Sequence, residues 1–208
     1  MTTLDASTES VPRIPAQRAE EAAMIGLPSF SVGSVALALV LIGYGPAAAV
    51  GASLAVIIAA TGVGLLIAAV WSAAAGQSAV AGVFGIFSGF WLSYALLVLG
   101  LTHNWFGIGA TAVVDTQAVF LISWLVIVGM LTLATLRLPL AYTVLFALIE
   151  VALVFVLIGT LQGSAGALAI AGVVVFGFAA VGVYLFFSAA SQATGGSALP
   201  LGPPLIRG

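Results

Sequence analysis

The stretch LAYTVLFALIEVALVFVLIGTL, residues 140–161, is apolar throughout except for Glu150 and the hydroxyls of Tyr142, Thr143 and Thr160. At 1.5 Å rise per residue, it has the length of the roughly 20-residue helix that crosses a bilayer. Arg137-Leu138-Pro139 precedes it and Gln162-Gly163-Ser164 follows it, and both triplets carry turn-forming residues. A helix that is apolar all round has no face for water, so this segment belongs in lipid or in a bundle surrounded by lipid.

The same reading extends outward in both directions. Segments of similar length and character run over about residues 28–44, 48–74, 80–101, 117–136 and 165–189. They are divided by Gly45-Pro46, by Gly76-Gln77-Ser78, and by a polar loop that holds Thr102, His103, Asn104, Trp105 and Asp115. The expected fold is an all-α integral membrane protein with six transmembrane helices in one bundle. Residues 1–24 read as a flexible cytosolic tail broken by Pro12 and Pro15, residues 25–190 as the membrane domain, and residues 191–208 as an irregular, glycine- and proline-rich C-terminal tail.

Composition supports this strongly. Of 208 residues, 63% are hydrophobic and 5% charged, against about 25% charged in soluble globules. Mean hydropathy is +1.33. Most of the charge sits before Met24, so nearly all of the remaining chain must face lipid or other protein. There is no cysteine, hence no disulfide, thiolate nucleophile or thiolate metal site. With His103 the only histidine, no metal cluster, cofactor or catalytic dyad is expected. A net charge of -2 without a basic cluster leaves nothing to hold nucleic acid. An enzyme is the least suited class, and a channel, carrier or membrane scaffold remains.

The arginines set the expected orientation. With six spans, the two termini and the loops after spans two and four share one side. Arg13, Arg18, Arg137 and Arg207 all fall on that side, which the positive-inside rule makes cytosolic. A multi-pass protein of the cytoplasmic membrane follows, with both termini inside.

Within the spans, Glu150 carries the most information. A carboxylate at mid-membrane costs several kcal/mol unless it is protonated, paired or hydrated. No basic residue lies at similar depth, and Thr143 shares its helical face, so Glu150 is expected either as a neutral acid hydrogen-bonded to a neighbouring helix or, as the favoured reading, as a proton-responsive group lining or gating a solute pathway. Softer polar positions are Ser88 and Trp91 on one face of span three, and Tyr184 with Ser188 on span six. Pro28, with Ser29, Ser31 and Ser34 after it, reads as a helix start, which is either simply a proline at a first helical position with no ligand or one whose free N–H groups suit a small anion.

Taken in order, Phe84-Gly85-Ile86-Phe87-Ser88-Gly89-Phe90-Trp91-Leu92-Ser93, the preceding Gly76-Gln77 and the C-terminal Leu199-Pro200-Leu201-Gly202 resemble the acetate uptake transporter family, the bacterial succinate–acetate permeases and their fungal relatives. Thr135-Leu136-Arg137 and Ile158-Gly159 stand where that family has comparable residues, so the resemblance covers about residues 25–202. It implies a six-helix protomer in a homo-hexamer, each protomer passing small monocarboxylates such as acetate by proton-coupled transport or through a channel. It also implies a constriction built from Phe87, Ile149 and a span-one residue at Ser34 or Ala36. Two departures stand out. The family's Asn-Pro-Ala opening is Leu27-Pro28-Ser29 here, and Glu150 stands where relatives have an uncharged residue; at the constriction itself Phe87 replaces the usual tyrosine. A constriction without hydroxyls beside a carboxylate also suits a neutral acid or amide, so a proton-gated channel for urea and short amides is the alternative function. A non-transporting scaffold is the third.

Overall fold

The computed structural model describes residues 17–45 and 50–206. Within them the chain is helical with no strands. Its elements are α1 (Gln17–Leu41), α2 (Val50–Ala55), a π-helical stretch (Val56–Gly62), α3 (Val63–Ala74), α4 (Ser78–Thr102), α5 (Val113–Ala134), α6 (Leu140–Gln162) and α7 (Ala165–Ala193). Single 3-10 turns at Ala110–Ala112 and Thr135–Arg137 flank α5. Six helical segments are long and apolar enough to cross a membrane, the second being α2, the π stretch and α3 taken together from Ser53 to Ala74. This is a multi-pass membrane protein. The expected tail over residues 1–24 lies mostly outside the described residues, as do Arg13 and Arg207, while Arg137 is exposed at the turn before α6.

Span one departs from the sequence reading. Helix α1 begins at Gln17 and carries Pro28 in its interior, so Pro28 and Ser29 do not form a helix start and no free N-terminal N–H groups are gathered there. The proline ring removes one intrahelical bond, which ends many helices in water. Inside a bundle in lipid, backbone breaks are avoided because each unpaired group costs several kcal/mol, so the helix carries the proline and continues. Ser31 and Ser34 then bond within α1: Ser31 Oγ donates to Leu27 O at 2.8 Å and Ser34 Oγ to Phe30 O at 2.7 Å.

The spans close into a ring. Helix α1 packs on α7 and on the second span, α3 on α4, α5 on α6, and α6 on α7, while α4 and α5 meet more lightly. That last seam is aromatic. Phe90 of α4 stands edge-on to Trp124 of α5 with ring centroids 5.2 Å apart, and Tyr94 meets Phe120 at 6.3 Å. The core runs down the middle of the ring, where Trp91, Val128, Phe146, Val175 and Phe178 are almost wholly enclosed.

The residues described after α7 are irregular and docked on the bundle. Ala141 N donates to Leu201 O at 2.9 Å, Tyr184 Oη to Pro200 O at 2.8 Å, Leu199 N to Ser188 Oγ at 3.1 Å and Ile206 N to Leu136 O at 3.0 Å. The Ala141 bond occupies one of the N–H groups that a helix start leaves free, here at the first turn of α6.

Glycine permits the closest seam, between α1 and α7. A Cβ on Gly172 would stand 3.1 Å from Ala38 O and 3.1 Å from Ile42 N, both backbone atoms that cannot step aside. Gly172→Ala should therefore destabilise the purified protein by about 1–3 kcal/mol, as overpacking does. Gly89→Ala, whose Cβ would meet only Trp124 at 3.9 Å, should change stability by less than about 0.5 kcal/mol. Thermal denaturation of the two variants in detergent checks the difference.

Candidate functional site

Four of the six spans present an apolar face to the centre of the ring, and residue spacing decides which side chains reach it. On α6 these are Ile149, Ala152, Leu153 and Val156, at the i, i+3, i+4, i+7 spacing of one helix face. On α4 they are Phe87, Phe90 and Trp91, on α7 Val175 and Phe178, and on α1 Phe30 and Leu37, two turns apart. Together they enclose a cavity of about 30 Å³ near the middle of each contributing helix. That exceeds the space one water needs, about 10–15 Å³, yet a pocket with such walls gives a resting water too few partners.

The narrow point is aromatic. Phe30 stands edge-on to Phe87 with centroids 5.7 Å apart and lies 5.6 Å from Phe178, and Phe87 lies 5.7 Å from Phe146. The ring quadrupoles favour such edge and tilted contacts, which add about 0.5–1.5 kcal/mol per pair beyond area burial. Rings held this way form a firm wall around the cavity.

Trp91 lines the cavity through the carbon atoms of its ring. It is 1% exposed, and its Nε1 has no hydrogen-bond partner among the described residues. Its ring is fixed by Phe90, edge-on at 5.2 Å.

The structure brings Phe87, Trp91 and Ile149 together at the cavity. Ser34 and Ala36 are not among its lining residues, and Phe30 supplies the span-one side chain instead. Phe30 was missed because starting the span at Pro28 leaves it at a helix end. Once α1 is extended back to Gln17, Phe30 falls within the span one helix face from Leu37.

Glu150 also stands elsewhere than expected. Successive helical residues point about 100° apart, so with Ile149 facing the cavity, Glu150 faces α5. Its Oε1 lies 3.7 Å from where a Cβ on Gly129 would be, and its Oε2 is buried with no hydrogen-bond partner among the described residues. It is not a cavity-lining residue. Thr143, expected on the same polar stripe, is buried and donates from Oγ1 to Thr135 O at 2.9 Å, closing the turn between α5 and α6. Tyr184 lies on the outer side of α7 and holds the C-terminal tail through Pro200 rather than facing the cavity. His103 is exposed and stacks on Trp105 at 5.7 Å.

Ser88 has a structural part that its sequence position did not reveal. In the π stretch the bonds run i to i−5, as from Val63 N to Ile58 O, and this wider winding disturbs the carbonyl ladder. Ser88 Oγ, from α4, donates across the bundle to Gly62 O at 2.8 Å. Thr61 fills the space beside Gly33, where a Cβ would overlap its hydroxyl, so α1 and the π stretch are in direct contact. Of the other buried polar atoms without a partner among the described residues, Thr61 Oγ1, Ser72 Oγ and Gln77 Oε1 lie on the second span and the turn after it.

The GPR1/FUN34/yaaH family matches residues 4–199, nearly the whole chain. The chain belongs to this family. No curated protein matches it. Among solved structures it is similar to one described as the bacterial acetate channel SatP, with a TM-score of 0.76 and 23% identity, over 87% of this chain and 98% of that one. The resemblance to acetate uptake transporters is borne out at the level of family and fold. At that identity the likeness concerns the fold. The ring of six spans in this chain has an all-hydrocarbon and aromatic centre.

Removing the Ser88 hydroxyl should leave Gly62 O without its partner. Ser88→Ala is expected to lower stability by about 1–3 kcal/mol, the usual cost of an unpaired buried group. Ser93→Ala, which removes only a bond to Phe90 O in its own helix, should lower it less. Denaturation midpoints of the two variants in the same detergent test the ranking.

Proposed function

We propose that this protein is a proton-linked transporter or channel for small monocarboxylates such as acetate. The observation that carries the reading is the aromatic cavity at mid-span in the centre of a six-helix ring, in a chain of the GPR1/FUN34/yaaH family. The similar fold of a bacterial acetate channel supports the substrate class. Phe30, Phe87 and Ile149 form the constriction, and Trp91 borders the path of the solute.

The walls also suggest which form crosses. A carboxylate entering a hydrocarbon-lined cavity loses its hydration and gains no cation, whereas a neutral acid gives up only its hydrogen bonds. Falling pH raises the neutral fraction, so flux should rise as the outside becomes more acidic. Glu150 adds a second proton-dependent element. Its carboxylate lies in the seam between α5 and α6, so gaining a proton there changes how α6, which carries Ile149, packs on α5.

The remaining features of the reading follow from sidedness and family. Both termini lie in the cytosol, as the arginines indicate, the membrane is the cytoplasmic one, and the protomers assemble as homo-hexamers. An apolar stripe on the outer face of α5, including Val119, Ile122, Val126, Met130 and Leu133, faces lipid or a neighbouring protomer.

Proteoliposomes loaded with buffer and given labelled acetate test the function. Uptake above that of protein-free vesicles, rising as the outside pH falls, is expected. Phe87→Ala should widen the constriction and raise the rate severalfold. Glu150→Gln should flatten the pH profile, and identical profiles for variant and parent would remove Glu150 from the mechanism. Passage of urea or acetamide without acetate would overturn the monocarboxylate reading in favour of neutral solutes.

A further inference from the structure

The rings that narrow the cavity gather toward one end. The spans alternate in direction, so α1, α4 and α6 run away from the side that carries the α5–α6 turn. Helix α7 runs back to that side, where the residues after it bond Ala141 N and Leu136 O. Of the residues lining the cavity, the nearest to that side are therefore Phe30 on α1, Phe87 on α4, Ile149 on α6 and Phe178 on α7. Phe30 touches both Phe87 and Phe178, which joins three helices at this level.

Phe146 extends the same end by one turn. It precedes Ile149 by three residues, so it shares the cavity-facing stripe of α6 but lies nearer the α5–α6 turn. It is 2% exposed, does not line the cavity, and its ring centroid stands 5.7 Å from that of Phe87 at an interplanar angle of 58°. Helix α6 packs on α5 and α7, and α4 on the second span and α5, so these two side chains meet across the interior of the bundle. A contact across the axis, just beyond a cavity, stands in the way of anything leaving at that end. Neither side chain carries a polar atom, so the pair can part by rotation without leaving a donor or acceptor bare.

We infer that Phe146 is the second leaf of a gate whose first leaf is Phe87: the two rings close the cavity on the side of the α5–α6 turn, and the gap between them sets the size of solute that passes. The inference rests on the proposed passage of small solutes through this cavity and adds a size-determining residue to it. Phe87 has three ring neighbours, Phe30, Phe90 and Phe146. Phe30 and Phe90 line the cavity, whereas Phe146 backs Phe87 from beyond it. A smaller side chain at 146 therefore gives Phe87 room to withdraw and enlarges the opening without changing any lining residue.

The test uses the full-length protein in proteoliposomes and two graded series of solutes, acetic to butyric acid and acetamide to butyramide. Phe146→Ala should raise the butyrate-to-acetate flux ratio about tenfold, the lower end of what a methylene carries in an apolar site. Phe146→Leu should raise it less, and carries the test where the alanine variant does not fold. A smaller amount of folded protein lowers both fluxes alike, so the ratio reports the opening and not stability. Phe187→Ala, which removes an exposed ring from α7, should leave the ratio unchanged, and an equal rise there overturns the gate. An unchanged ratio in folded Phe146 variants of a protein that carries acetate also overturns it and leaves the monocarboxylate reading standing. A raised butyramide-to-acetamide ratio in a protein that carries no acetate upholds the gate and refutes that reading. Where the parent passes neither series, flux opened by a Phe146 variant upholds the gate, and its absence overturns both.

Discussion

Hydrocarbon gives a backbone N–H or C=O nothing to bond to, and each group left unpaired in it costs several kcal/mol. That constraint governs this chain more than any residue preference does. It keeps α1 helical through Pro28. It directs serines and threonines back to carbonyls of their own helix, as in Ser31, Ser34, Ser123 and Thr132. Where the second span changes its winding to i, i−5, the constraint is met from another helix through Ser88. The docked C-terminal residues apply it at the end of the bundle, bonding the first turn of α6 with their own carbonyls.

Once the backbone is satisfied internally, the side chains alone shape the interior, and their shape is set by small residues on one seam and large rings on the other. Gly33 and Gly172 bring α1 against the second span and α7 closely enough that neighbouring atoms occupy the place of a side chain. Across the ring, Phe90, Phe120, Tyr94 and Trp124 hold α4 and α5 apart by the thickness of stacked and edge-on rings. Tight packing on one flank and bulky packing on the other leave the space between Phe30, Phe87, Ile149 and Phe178. The cavity is thus a result of uneven helix spacing, and a change at either flank would alter its width.

Much of this was legible in the sequence because lipid makes length and apolarity nearly sufficient evidence for a helix. The spans at residues 80–101, 140–161 and 165–189 end within a few residues of α4, α6 and α7. The start of α1 was not legible, since Pro28 carries the same local signal whether it opens a helix or is carried within one. The π stretch Val56–Gly62 was hidden for a related reason: no residue in VIIAATG forbids ordinary winding, and the wider turn depends on contacts with Gly33 and Ser88 far away in the chain. At the site, Phe87, Trp91 and Ile149 could be found because motif and helix face agree on them. Phe30 could not, because its place depends on where α1 begins. The direction of Glu150 was misjudged by one residue of helical rotation, a difference that hydropathy cannot register in a segment apolar all round.

That rotation has consequences for how protons and solute are related. A carboxylate facing the cavity would meet the solute directly and would repel an anion there. Facing Gly129 on α5, Glu150 stands off the cavity, on the same helix whose neighbouring face carries Ile149, Ala152, Leu153 and Val156. The cavity keeps a wholly apolar wall, while the ionisable group sits in a seam between α5 and α6. The cavity-lining side chain and the carboxylate are thus one residue apart in sequence, at Ile149 and Glu150, and face different neighbours. In a chain with so few charged residues, one step of helical rotation keeps the carboxylate of this span out of the cavity.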